Sequence, residues 1–163
     1  MIVRSYYIKY IIPEEKKNEV KGTIKIPDLT VQSRKKLNKI SIIKVEWNYM
    51  NTLGFTLSNG ESCTAGQSNK VSSHTFDQNK KITKVECIMW YDEKFICRMN
   101  FYSGQETLVK VGWDDDDDVK DFGGRVESFE IADDESLIGC ELDFDSVNFC
   151  GVTWLKRKNV QLP

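Results

Sequence analysis

The residues of this chain that could do chemistry are few and scattered. The single histidine, His74, sits in "SSHTF" (Ser72–Phe76). An imidazole is the side chain best suited to moving protons near neutral pH, but it needs a nucleophile or a carboxylate placed against it. No nucleophile–base spacing and no glycine-rich phosphate loop occurs in the sequence. Five cysteines, Cys63, Cys87, Cys97, Cys140 and Cys150, include no C-x-x-C pair. They therefore lack the spacing of a zinc site, and their odd number favours reduced thiols packed as small apolar groups. The acidic run in "WDDDDDVKDFGG" (Trp113–Gly124) sets five carboxylates side by side, Asp114–Asp118. Such a run could attract calcium, but the spaced ligands and turn glycine of an EF-hand loop are missing. Mutual repulsion makes it an exposed acidic loop. The expectation is a protein that is not an enzyme, with no catalytic residue, no metal site and no cofactor.

Length and composition narrow the class further. A chain of 163 residues suits one domain, with room for a tail, and can bury a core without disulfides or metals. The formal net charge of -2 provides no basic field, so nucleic acid is not an expected partner. No apolar stretch approaches the roughly 20 residues that span a bilayer, so membrane insertion is not expected. The first twelve residues, "MIVRSYYIKYII", carry Arg4 and Lys9 and do not form a secretory leader pattern. With the unpaired cysteines this points to a cytoplasmic location.

Strand patterns dominate the elements that would position any site. Ile43, Val45, Trp47 and Tyr49 alternate with polar residues, and so do Phe95, Cys97, Met99 and Phe101. Period two marks strands with one buried face. Phe129 and Ile131 flank Glu130 in the same way. Asn59-Gly60, Ala65-Gly66, Ser103-Gly104 and Gly123-Gly124 read as turns. The best helix candidate, Pro13–Val20, lacks an apolar stripe. In the hairpin with its turn at Tyr91–Lys94, a turn centred near Asp92 sets Cys87 opposite Cys97 and Val85 opposite Met99.

A repeat organises these strands. "IKVE" (Ile43–Glu46) returns as "TKVE" (Thr83–Glu86), with a weaker third copy at "ESFE" (Glu127–Glu130) that continues into "CELDFD" (Cys140–Asp145). The starts are 40 and 44 residues apart. A propeller needs about four blades of such a period, and only three units fit. Three small sheets with one apolar face each can close only by turning those faces to a common axis, with Val45, Val85 and Phe129 inward. The expected fold is all-β, a three-sided prism with pseudo-threefold symmetry.

From about Lys39 to Lys156 the chain resembles the jacalin-related lectins, the family of β-prisms built from three Greek-key antiparallel sheets. The likeness lies in the threefold pattern, in "LGFTLSNG" (Leu53–Gly60), in "RMNFYSG" (Arg98–Gly104) and in the ending "LIGCELDFDSVNFCGVTWL" (Leu137–Leu155). It implies a β-prism domain over 39–163 preceded by an N-terminal extension or arm, residues 1–38. The family's sugar site lies before the last strand, with an aspartate three residues ahead of that strand's glycine. Gly151 is that glycine, so Asn148 stands at the aspartate position and Phe144 where the family has a glycine. Asn148 lacks a carboxylate's charge-assisted hydrogen bond, and Phe144 adds bulk where backbone access is wanted. The loop is one residue short, and Asp143 and Asp145 are the carboxylates near enough to substitute.

Two functions follow. The first is a non-catalytic module for protein–protein interaction, a structural subunit in a larger intracellular assembly whose other proteins are its partners. The altered sugar loop, the cysteines and the strand-prone arm favour it. The alternative is a carbohydrate-binding lectin that holds a glycan through Asp143, Asp145 and Asn148.

Overall fold

The computed structural model describes residues 5–10, 22–25, 41–58, 60, 62–66, 69–92, 95–145 and 148–158. Two strands come first, β1 (Ser5–Tyr10) and β2 (Gly22–Lys25). They are followed by β3 (Ile42–Asn48), β4 (Thr52–Leu57), β5 (Ser62–Gly66) and β6 (Ser72–Thr75). The next group is β7 (Lys84–Trp90), β8 (Ile96–Ser103), β9 (Glu106–Gly112), helix α1 (Asp116–Phe122) and β10 (Gly123–Glu130). A long pair, β11 (Glu135–Asp145) and β12 (Asn148–Lys158), completes the described chain. The described residues are therefore all-β apart from one short helix. The Pro13–Val20 helix candidate lies outside the described residues.

The strands form three four-stranded antiparallel sheets, ordered β6-β3-β4-β5, β10-β7-β8-β9 and β2-β11-β12-β1. In the first two, three strands follow one another by hairpins and the fourth returns beside the first, which is a Greek key. The third sheet has the same order, but β11 and β12 supply its first two strands while β1 and β2 supply the third and fourth. Residues 1–38, expected as an extension to a domain over 39–163, thus contribute two strands to a sheet. Ser5 pairs with Arg157 and Tyr10 with Thr153, while Gly22 pairs with Phe144 and Lys25 with Glu141.

"IKVE" lies in β3, and "TKVE" runs into β7, the first strands of two Greek keys. The third copy is placed differently. "ESFE" belongs to β10, the fourth strand of the second sheet, where Phe129 pairs directly with Val85. The first strand of the third sheet is β11, which carries "CELDFD". An edge strand that buries alternate side chains shows the same period as a first strand, and this accounts for the mismatch.

One aromatic contact joins the sheets. Across the three central hairpins Val45 faces Phe55, Val85 faces Phe101 and Cys140 faces Trp154. All six are buried. The rings of Phe55, Phe101 and Trp154 meet pairwise with centroids 6.3, 6.5 and 5.9 Å apart, in edge-on arrangements that favour aromatic pairs. Further along β12 the Lys156 ammonium donates to the Glu130 carbonyl at 3.0 Å and to the Glu135 carboxylate at 2.8 Å. It also stands 5.3 Å above the Phe129 ring. Burial raises the Glu135 pKa, but the Lys156 hydrogen bond and the Ala132 amide outweigh it and carry the carboxyl below its ordinary value.

Bulges reset two registers. In β3 an irregularity between Ile42 and Lys44 leaves Ile43 half-buried while Ile42 and Val45 enter the core. Between β7 and β8, Cys87 faces Met99 and Val85 faces Phe101, so Cys87 and Cys97 are not opposite one another. The extra residue falls at Cys97, between partners Ile96 and Arg98, because the connection is not symmetric about Asp92. Cys87, Cys97 and Cys140 are all buried. The Cys97 thiol donates to the Ile88 carbonyl at 3.3 Å, and burial pushes its pKa up to about 11.

Two outcomes follow from this architecture. Phe101→Ala should cost about 3–5 kcal/mol in a urea melt, because it opens a cavity where all three sheets meet. A chain starting at Lys39 would lack half of the third sheet and should lose its cooperative thermal transition. A melt as sharp as the parent's would show that β11 and β12 stand without β1 and β2.

Candidate functional site

Several turns and helix α1 gather at one end of the sheets. The Phe149 amide at the start of β12 donates to the Met50 carbonyl in the β3–β4 turn at 3.2 Å. The Trp113 amide, just past β9, donates to the Cys97 carbonyl at 2.9 Å, and the Tyr91 amide to the Phe122 carbonyl at 2.9 Å. Gly112 permits this convergence. Its φ is +115°, and a Cβ there would lie 2.6 Å from the Cys97 carbonyl oxygen and 2.7 Å from the Met50 sulfur. Gly123-Gly124, read from sequence as a turn, begins β10 instead. A Cβ on Gly124 would press on the Trp90 carbonyl at 2.9 Å.

A strip of six aromatic rings covers this end. Tyr49 meets Trp113 at 5.6 Å, and Trp113 meets Trp90 at 5.7 Å. Trp90 stacks with Phe95 and with Phe122, each at 5.6 Å, and Tyr91 reaches Phe122 at 6.5 Å. Tyr91, Tyr49 and Phe122 are 65%, 50% and 45% exposed. The alternation in β3 predicts Tyr49 in the core. It sits in the turn at φ +44°, a conformation that costs a bulky residue on the order of 1–3 kcal/mol.

Helix α1 flanks the strip and is made from the acidic run. Aspartates are poor in helix interiors but suit the N-cap and first turn, where free amides and the positive end of the dipole favour carboxylates. The Asp115 carboxylate accepts from the amides of Asp117 at 2.9 Å and Asp118 at 3.2 Å. The expected loop is therefore a capped helix, although most of its aspartates are exposed as expected. Arg98, buried in β8, fastens it. Its guanidinium donates to the Trp113 carbonyl from Nε at 2.9 Å and to the Asp116 carboxylate from Nη1 at 2.5 Å. Lys110 binds the same carboxylate at 3.1 Å. Hydrogen bonds from Arg98 and then Lys110 hold the Asp116 carboxyl below its ordinary value. The Trp113 indole N–H donates to Asp118 at 3.2 Å. Among the described residues no group of three or more His, Cys, Asp or Glu is arranged to hold a metal ion.

The residues carried over from the lectin resemblance lie at the same end. Asp145 pairs with Asn148 at the tip of the β11–β12 hairpin. Asp143 stands between Gly151 of β12 and Thr23 of β2, and Phe144 between Phe149 and Gly22. The side chains of Asp143, Asp145 and Asn148 are outside the described part of the structure. His74 is remote from this end, in β6, half-buried with its ring 4.9 Å from that of Phe76. Burial lowers its pKa below 6.5. A cleft of about 260 Å³ at the opposite end is lined by Phe76, Lys80, Lys81 and Asp133 among others. Lys81 is tied there to the carbonyls of Ala132 and Asp133, and Lys80 to Glu106.

No family model matches the chain, and no curated protein does. A solved structure described as "Crystal structure of PirB" is similar in fold, with a TM-score of 0.62 and 15% sequence identity. The match covers 99% of this chain and 40% of that one, so this chain spans two fifths of that protein's length. At that identity the likeness shows the fold alone.

The Asp116 anchor makes a pH prediction. A carboxyl whose pKa is lowered on folding adds stability above its unfolded value, and that contribution is lost as pH falls through the folded value. Acidification below 3.8, the ordinary aspartate value, should therefore release α1 from Arg98. Tryptophan emission from Trp90 and Trp113 should change while the far-ultraviolet strand signal persists. Asp116→Asn should show the acid emission already at neutral pH. Identical emission in variant and parent would disprove the anchor.

Proposed function

We propose that this protein is a non-catalytic binding module, a β-prism of three Greek-key sheets with pseudo-threefold symmetry, acting as a structural protein–protein interaction subunit of a larger intracellular assembly. The shared strand order of the three sheets and the central ring contact support the prism. The observation that carries the function is the aromatic strip. Large rings half in water are an unusual use of apolar area, and tyrosine and tryptophan are enriched at interfaces because they join an apolar body to a polar tip. Keeping Tyr49 in a strained backbone to complete the strip is a cost that a binding surface accounts for. The domain includes β1 and β2. A cytoplasmic setting is favoured by the odd number of cysteines. Among the described residues no helix is long and apolar enough to cross a membrane.

The lectin reading is supported by one feature: the tip of the β11–β12 hairpin, with Asp145 and Asn148, adjoins the Tyr49 turn through the Phe149–Met50 hydrogen bond. A Tyr91→Ser/Phe122→Ser variant separates the two. It should melt near the parent and fail to enter the assembly recovered by size exclusion from the native source. An unchanged assembly would move the interface away from this end. A glycan-array signal abolished by Asp145→Ala or Asn148→Ala would establish the lectin reading in its place.

A further inference from the structure

Resting on that proposed interface, the geometry points to its partner chemistry: we propose that the aromatic end docks a basic protein segment, with arginine or lysine interleaved among apolar residues. The rings of the strip already pack against one another. Trp90 is held between Phe95 and Phe122 with interplanar angles of 16° and 22°, and the Tyr91 amide is bonded to the Phe122 carbonyl. Its exposed faces carry the negative side of the ring quadrupole, which attracts cations.

The flank of the strip has the same sign. Asp114–Asp118 and Asp121 oppose only Lys120 between Trp113 and Phe122. Three of the six carboxylates are engaged: Asp115 in the cap, Asp116 with Arg98 and Lys110, and Asp118 with the Trp113 indole. Asp114 and Asp121, with the Asp117 side chain, are exposed and make no ion pair among the described residues. Rings next to unneutralised carboxylates suit a guanidinium, which stacks on an aromatic face while its edge meets a carboxylate. Other occupants fit less well. A sugar hydroxyl can donate to these carboxylates, but a neutral sugar brings no charge to neutralise them. An isologous pairing of this face with a second copy would set aspartate against aspartate. An anionic lipid surface would be repelled.

The test is selection of random twelve-residue peptides displayed on phage against the intact protein, repeated on Tyr91→Ser/Phe122→Ser and on Asp114→Asn/Asp117→Asn/Asp121→Asn. Selected peptides should be enriched in arginine or lysine. As synthetic peptides they should bind about tenfold more weakly to either variant, and more weakly as salt rises. Tyr91→Ser alone and the salt series on the parent give the same readout should a multiple variant not fold. Peptides that need the rings but show no basic enrichment and no salt dependence would overturn the basic partner and leave the interaction surface standing. Ring-dependent binding to a glycan array with no peptide selected would overturn it in favour of a sugar. If neither peptides nor glycans depend on the rings, the binding surface fails along with the partner.

Discussion

Phe55, Phe101 and Trp154 come from three different sheets and touch one another at the centre of the protein. Each occupies the second strand of its sheet and is backed by a small residue of the first: Val45, Val85 or Cys140. That pairing of large with small lets the three rings pack against one another in the core. A single four-stranded sheet with one apolar face has nothing to bury it against. The ring contact therefore makes each sheet the cover for the other two. One cost remains at this centre: the Trp154 indole N–H is buried with no hydrogen-bond partner among the described residues.

The two ends of this core are closed by different chemistry. At one end Lys156 extends from the same strand as Trp154 and ends in a buried ion pair with Glu135, held over the Phe129 ring. At the other, the closure is aromatic and open to water. Arg98 links that end to the sheet. Its side chain is buried on the face of β8 away from Met99 and Phe101, so β8 is covered on both sides. A buried guanidinium needs its charge met, and Asp116 with the Trp113 carbonyl meets it. Arg98, together with Lys110 and the Tyr91–Phe122 backbone bond, sets the orientation of α1 and with it the aspartates beside the rings.

The sequence was informative where a residue's neighbours along the chain decide its place. Val45 and Val85 follow from alternation, and the recurrence of "KVE" marks equivalent strands. Alternation could not distinguish β10 from a first strand, because Phe129 is buried in the same rhythm. The third sheet is marked in the repeat only by "CELDFD" of β11, since its other strands come from opposite parts of the chain. Alternation does not place Cys97, because the bulge adds one residue to one side of the β7–β8 hairpin without a local mark in the sequence. The acidic run does carry a local helix signal: Asp115, three residues before Asp118 and leading into Val119 and Phe122, suits a helix start. The aromatic strip had none. Tyr49 and Phe122 are far apart in the chain, and only folding places them on one surface. The lectin-like positions Asp143, Asp145 and Asn148 are legible as a hairpin tip, and their register agrees with that.

The pairing of β1 with β12 has a consequence for how the protein is made. Ser5 pairs in register with Arg157, so the first strand's partner emerges from the ribosome about 8–30 s later at typical rates of synthesis. The sheets formed by β3–β6 and β7–β10 draw on contiguous stretches and can close as they appear. Through all of that time β1 lacks its partner strand β12. This is a long-range contact of the kind that slows folding, and it makes the nascent N-terminal strand the segment most open to pairing with the wrong neighbour. Completion of the final hairpin is the event that ends this exposure.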